Sequence, residues 1–195
     1  IAELGNDGLL AHAALNLAHI HQAFGDDTAA AELLPLAERS ARRAGQAAIR
    51  THADLTWAGI ELRRGKRQAS VARLDAAVER IADCGEEARS LLSARAALGL
   101  AEAGLGARAE ALLSAAELHD AGRAADTACL AQQARGTLAL TGSPSDRRVA
   151  ADALATGARD ARGWERQLDA ALLQGELLDR VGDGPASVSA LRRAR

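Results

Sequence analysis

The run "LNLAHIHQAFGDD", Leu15 to Asp27, places His19 and His21 one residue apart, with His12 upstream and His52 further along the chain. Imidazoles ligate zinc, relay protons and change charge between about pH 5 and 8, so these four are the first candidates for chemistry. Helical geometry argues against a metal. At about 100° per residue, His19 and His21 point about 160° apart, while His12 and His19 share a face but lie about 10 Å apart along the axis. Helical zinc pairs use i, i+4 spacing, and neither pair has it.

Other catalytic patterns fail the same kind of test. The chain has no G-x-S-x-G and no H-E-x-x-H run. "GIELRRGKR", Gly59 to Arg67, has one residue too many between its glycines for a phosphate loop, and no Ser or Thr follows Lys66. The pairs Asp26-Asp27 and Glu86-Glu87 fall at predicted helix starts, where carboxylates stabilise unpaired N–H groups by about 0.3–1 kcal/mol. Cys84 and Cys129 lack C-x-x-C spacing and read as reduced, buried thiols. The expectation is a protein that is no enzyme in itself, with no cofactor and no metal. The basic cluster Arg63 to Arg67 reads as a solvated turn.

What remains is a polar set that needs a scaffold. Apolar residues make up 48% of the 195 but aromatics only 2%, with no Met or Tyr, so the core must be built of alanine and leucine. That mixture favours helices packed closely through small side chains. A net charge of -2 excludes the basic footprint of a nucleic-acid binder, and no apolar run is long enough to span a bilayer. A cytoplasmic location and a protein partner, with no direct nucleic-acid or membrane contact, are the expectations.

Glycines set the beat. Gly5, Gly45, Gly85, Gly122 and Gly163 form one series, and Gly25, Gly65, Gly106, Gly142 and Gly182 interleave with it, both at spacings near 40 residues. Each is predicted to end a helix in the left-handed conformation that glycine adopts most cheaply. Seven places before the second series stand Ala18, Ala58, Gly99 and Gly175; the fourth pair has Arg135 there, with Gly136 one place later. Five, nine and twelve places after it stand Ala30, Leu34 and Ala37, then Ser70, Leu74 and Ala77, then Ser187, Leu191 and Ala194. Ser143-Pro144 and Gly184-Pro185 read as a cap before a first-turn proline, whereas Pro35 predicts a bend or a broken turn near Leu34.

"ALGLAEAGLGARAEAL" (Ala97 to Leu112) and "NLAHIHQAFGDDTAAA" (Asn16 to Ala31) resemble the tetratricopeptide repeat. The resemblance rests on Leu98-Gly99, Ala101, Gly106 and Glu110-Ala111-Leu112 in one, and on Asn16, Leu17, Ala18 and Gly25-Asp26 in the other. It implies an all-α, right-handed α-solenoid of five helix pairs, near 6–45, 46–85, 86–122, 123–163 and 164–195, in a single domain. A period near 40 exceeds the family's 34 or so and is similar to the long repeats of MalT-like and SARP-type bacterial regulators and of regions preceding CHAT proteases. With no Met at position 1 and no polar capping helix, the chain is expected to be a window of a longer protein.

In such a superhelix the first helices turn one face toward the hollow. Helical periodicity places His12, Asn16 and His19, then His52, Thr56 and Arg63, then Ser93 and Ala97, then Asp169, Glu176 and Arg180 on that face. The resemblance implies that a peptide docks there, with Asn16 in the place where the family holds ligand backbone. The residues of its carboxylate clamp do not recur. The expected function is a peptide- or protein-binding scaffold forming the sensor arm of a bacterial regulator. The alternatives are an accessory domain of a multidomain enzyme, and self-association through the ends or the convex face.

Overall fold

Strong helix formers fill the segments between the turn signals, and the chain folds accordingly. The computed structural model describes residues 6–119, 125–160 and 164–193; among them every regular element is an α-helix. In order these are α1 (Asp7–Ala23), α2 (Asp27–Arg43), α3 (Ala47–Arg63), α4 (Arg67–Ile81), α5 (Glu86–Glu102), α6 (Gly106–His119), α7 (Ala125–Ala139), α8 (Pro144–Asp160), α9 (Trp164–Arg180) and α10 (Gly184–Arg193). They divide into two units, Ile1–Leu92 and Ser93–Arg195.

The turns follow one recipe with instructive departures. After α1, the Gly25 N–H bonds to Gln22 O at 2.9 Å and the Asp26 N–H to His21 O at 2.8 Å, the paired closure of a Schellman turn, with Gly25 at φ +76°. Asp26 then caps α2, its Oδ1 accepting from Ala29 N–H at 3.0 Å, a contact of about 1 kcal/mol. Gly45, Gly65 and Gly182 repeat the left-handed turn. In the third pair the residue that does so is Gly104, not Gly106, which opens α6. Neither Gly85 nor Gly142 takes a positive φ. The end of α4 is closed instead by Arg89, whose guanidinium donates to the Ala82 and Cys84 carbonyls at 2.8 and 2.9 Å. Before α8, Ser143 and Asp146 cap each other reciprocally: Asp146 N–H donates to Ser143 Oγ, and Ser143 N–H to Asp146 Oδ2. Asp183, rather than Gly184, caps α10 by accepting from Ala186 N–H at 3.2 Å. Gly5, Gly122, Gly163 and Ala194 lie outside the described residues.

The shift to Gly104 corrects the register. Counted five residues back from the last residue of α1, α3, α5, α7 and α9, the positions are Ala18, Ala58, Ala97, Ala134 and Gly175, and all five are buried. The small residue of the third pair is therefore Ala97 in place of Gly99, and in the fourth Ala134 fills the slot that the sequence count gave to Arg135, with Gly136 two places on. At Gly175 the second helix nests on the small residue: a Cβ added there would stand 2.8 Å from Leu191 Cδ2. Ser187 uses the same close approach, donating its hydroxyl to Gly175 O at 2.9 Å.

In the first unit α1 packs on α2, α2 on α3, α3 on α4, and α1 also on α3. Its core is alanine-rich around Leu15, Leu34, Ile49 and Ile60. Leu34 is 2% exposed, a burial that contributes roughly 1.5–3 kcal/mol. Of the bend or broken turn expected near Leu34, the break does not occur: α2 runs helical through Pro35. Leu34 and Ala37 on either side are fully buried, and packing against the neighbouring helices outweighs the lost backbone hydrogen bond. In the second unit the pattern recurs, α7 on α8, α8 on α9, α9 on α10, and α7 on α9. Gly136 of α7 is pinched there: a Cβ would meet Leu173 Cδ2 at 2.8 Å and Leu154 Cδ1 at 2.9 Å. Both cysteines are buried.

Candidate functional site

Because α1 and α3 pack side by side, they bring together residues that sequence separates by a whole repeat. His19 Nε2 lies 3.0 Å from Thr56 Oγ1, and the Thr56 hydroxyl donates to His52 O at 2.8 Å. With its one proton committed to that carbonyl, Thr56 can only accept from the imidazole, so His19 carries its hydrogen on Nε2. The rings of His19 and His52 stand 4.7 Å apart, tilted by 51°. His12 and Asn16, on the same face of α1 as His19, are exposed. The arrangement is a half-buried imidazole pair with a polar strip running outward along α1. Among the described residues no three His, Cys, Asp or Glu side chains are placed to share a metal ion.

The remaining predicted positions divide by burial. Thr56 is 1% and Ser93 7% exposed, so neither offers its side chain to a surface. For Ser93 the corrected register gives the reason. It stands nine residues before the end of its helix, in line with Ala14, Asp54, Leu130 and Ala171, all of them buried. Ala97 is buried for the same reason. Arg63 is exposed but engaged with α2, its Nε and Nη2 donating to the two Asp27 carboxylate oxygens at 2.9 and 2.6 Å. Hydrogen bonds from Arg63 hold the Asp27 carboxyl below its ordinary value of 3.8 against partial desolvation. Arg64 adds a bond to Asp27 O, and Lys66 pairs with Glu61 at 3.5 Å, so the basic turn contributes to the scaffold. In the second unit Asp169 is exposed. Arg180 pairs with Glu176 at 2.7 Å and also donates to Leu140 O at 3.4 Å, tying α9 to the turn after α7.

One charged cluster was not singled out from the sequence. Asp54 of α3, 6% exposed, receives Arg73 Nη1 at 2.9 Å and Arg80 Nη1 at 2.5 Å from α4, and the Arg73 guanidinium lies 5.4 Å over the Trp57 ring. Its sequence signal was an aspartate in a position that is apolar or small in the other first helices, facing two arginines seven residues apart on one helix face. The ions satisfy one another, which fixes α4 against α3.

The chain matches no protein-family model, no curated protein and no solved structure.

Proposed function

We propose that the chain is a tetratricopeptide-like, right-handed solenoid that binds a peptide or protein segment, as the sensor arm of a larger cytoplasmic regulator of bacterial type. The observation that carries the reading is the polar strip of α1: exposed His12 and Asn16 lead to His19, which is held by Thr56 and the ring of His52. Preset polar groups on a rigid helix face are what a peptide backbone requires for recognition at low entropic cost. The repeat architecture is supported by the pattern of contacts, in which a first helix touches its own second helix and the next first helix in both units. The near-neutral charge of the chain favours a protein partner over nucleic acid. No described helix is long and apolar enough to cross a membrane.

The test is selection of a random peptide library on the immobilised chain. A consensus peptide is expected, and H12A/N16A should weaken it by about tenfold or more while thermal unfolding stays unchanged. Selection without any consensus, or a consensus indifferent to H12A/N16A, would remove the α1 strip from the binding role.

A further inference from the structure

The charged contacts that join helices of the first unit set acid against base: Asp7 with Arg43, Asp27 with Arg63, and Asp54 with Arg73 and Arg80. His19 of α1 and His52 of α3 set base against base. Their rings stand 4.7 Å apart, tilted by 51°, and both residues are half-buried. Uncharged, the rings pack against each other while His19 donates its Nε2–H to Thr56 Oγ1 at 3.0 Å. A first proton leaves this in place, because an imidazolium donates through the same N–H. A second proton puts like charges within a ring's breadth of each other and partly out of water, where both are not carried cheaply. We propose that His19 and His52 form an acid-sensitive latch between α1 and α3: with one proton or none the contact stays shut, and the second proton is bound only as the rings part.

The neighbouring charges act on the pair as a whole. On α1 these are His12, about 10 Å along the axis from His19, and His21, 3.6 Å from Asp26. From α2 come Asp27 and Glu38, paired with Arg63 and Arg42. On α3, Asp54 is held by Arg73 and Arg80 of α4, and Glu61 by Lys66; Arg50 precedes His52 by two residues, on the opposite side of the helix. The start of α5 carries Glu86, which is exposed, Glu87, whose side chain lies outside the described residues, and Arg89, which donates to the Ala82 and Cys84 carbonyls. These groups raise or lower the affinity of the pair for its first proton. None removes the repulsion between two charged rings in contact. In the unfolded chain the two imidazoles are independent and each takes its proton near pH 6.5, whereas the folded pair binds its second proton more weakly than its first. The repulsion is therefore absent at about pH 8 and costs stability increasingly as the pH falls below about 6.5.

Urea unfolding of the 195-residue chain and of H19Q, H52N and H19Q/H52N, at about pH 8 and about pH 5, isolates the pair, because a double-mutant cycle cancels what any third group contributes. Glutamine at position 19 keeps a donor toward Thr56. The coupling should turn against folding at the lower pH, by about fivefold or more in the unfolding equilibrium constant. In the parent chain alone, the ring protons of His19 and His52 followed by NMR should each shift in two linked steps. A coupling that is the same at both pH values, or more favourable in acid, overturns the proposal. So do two rings that each titrate in a single independent step, a result that stands even where a variant does not fold.

Discussion

His19 Nε2 on α1 and Thr56 Oγ1 on α3 meet at 3.0 Å although 37 residues separate them. The contact ties two first helices together at the level of the candidate strip, and Thr56, 1% exposed, has no water to replace a lost partner. Thr56→Val should destabilise the first unit by about 1–1.5 kcal/mol, since it removes two hydrogen bonds at nearly constant volume. His19→Ala should cost about 1 kcal/mol, and the double variant less than the sum, with a coupling of roughly 0.5–1 kcal/mol in urea unfolding. Strict additivity would mean that the two side chains do not act as a pair.

Two glycines that look alike in sequence should respond oppositely to the same change. At Gly136 an added methyl runs into Leu173 and into Leu154, which is 0% exposed and cannot swing aside. Gly136→Ala should cost about 1–3 kcal/mol by overpacking. At Gly175 the obstacle is Leu191, 41% exposed and able to turn toward solvent. Gly175→Ala should be close to neutral, because the gain in helix propensity of about 1 kcal/mol offsets the repacking. Comparable losses in thermal melts of the two variants would contradict this assignment.

Pro35 sits within α2 and supplies no N–H to the carbonyl four residues earlier. Replacing it with alanine should raise stability by about 1–3 kcal/mol, less than the full proline penalty because the half-buried ring also packs. Equilibrium unfolding in urea checks the sign. A loss of stability would show that the ring's packing outweighs the missing hydrogen bond.

Asp27 and Asp183 are held below the ordinary carboxyl value of 3.8, Asp27 chiefly by hydrogen bonds from Arg63 and Asp183 by the bond from Arg148 and by the Ala186 N–H. A depressed folded value means that the unfolded chain binds protons first. The stability from these pairs is therefore complete above that ordinary value and is lost as pH falls through the lower folded values. D27N/D183N should be less stable than the parent at neutral pH, with a shallower loss of helical signal on acidification below about pH 4. Parallel acid curves for parent and variant would show that these pairs are not linked to folding.

Much of the scaffold was legible in the residues. Alanine and leucine spacing indicated ten helices in five pairs, and Gly25, Gly45, Gly65 and Gly182 marked turns that the backbone closes as expected. The third pair was misread because "AGLG" offers Gly104 and Gly106 two residues apart, and composition does not say which one adopts a positive φ. That slip moved Ser93 from a buried row onto the supposed groove. In the fourth pair a reciprocal Ser143–Asp146 cap replaces the left-handed glycine, so a search for glycines alone cannot locate its register.

By itself the sequence determined which stretches are helical, where most of them turn, and that small residues must recur where helices meet, because these depend on local backbone preference and on a period within one helix. Only the tertiary structure decided that His19 meets Thr56 and His52, that Asp54 is neutralised by Arg73 and Arg80, and that Ile49 and Ile60 are buried on α3 while Leu9 and Ile20, forty residues earlier, are exposed on α1. Those outcomes depend on which helix lies alongside which. Periodicity shows that a helix has an apolar face; only packing shows whether that face has a partner.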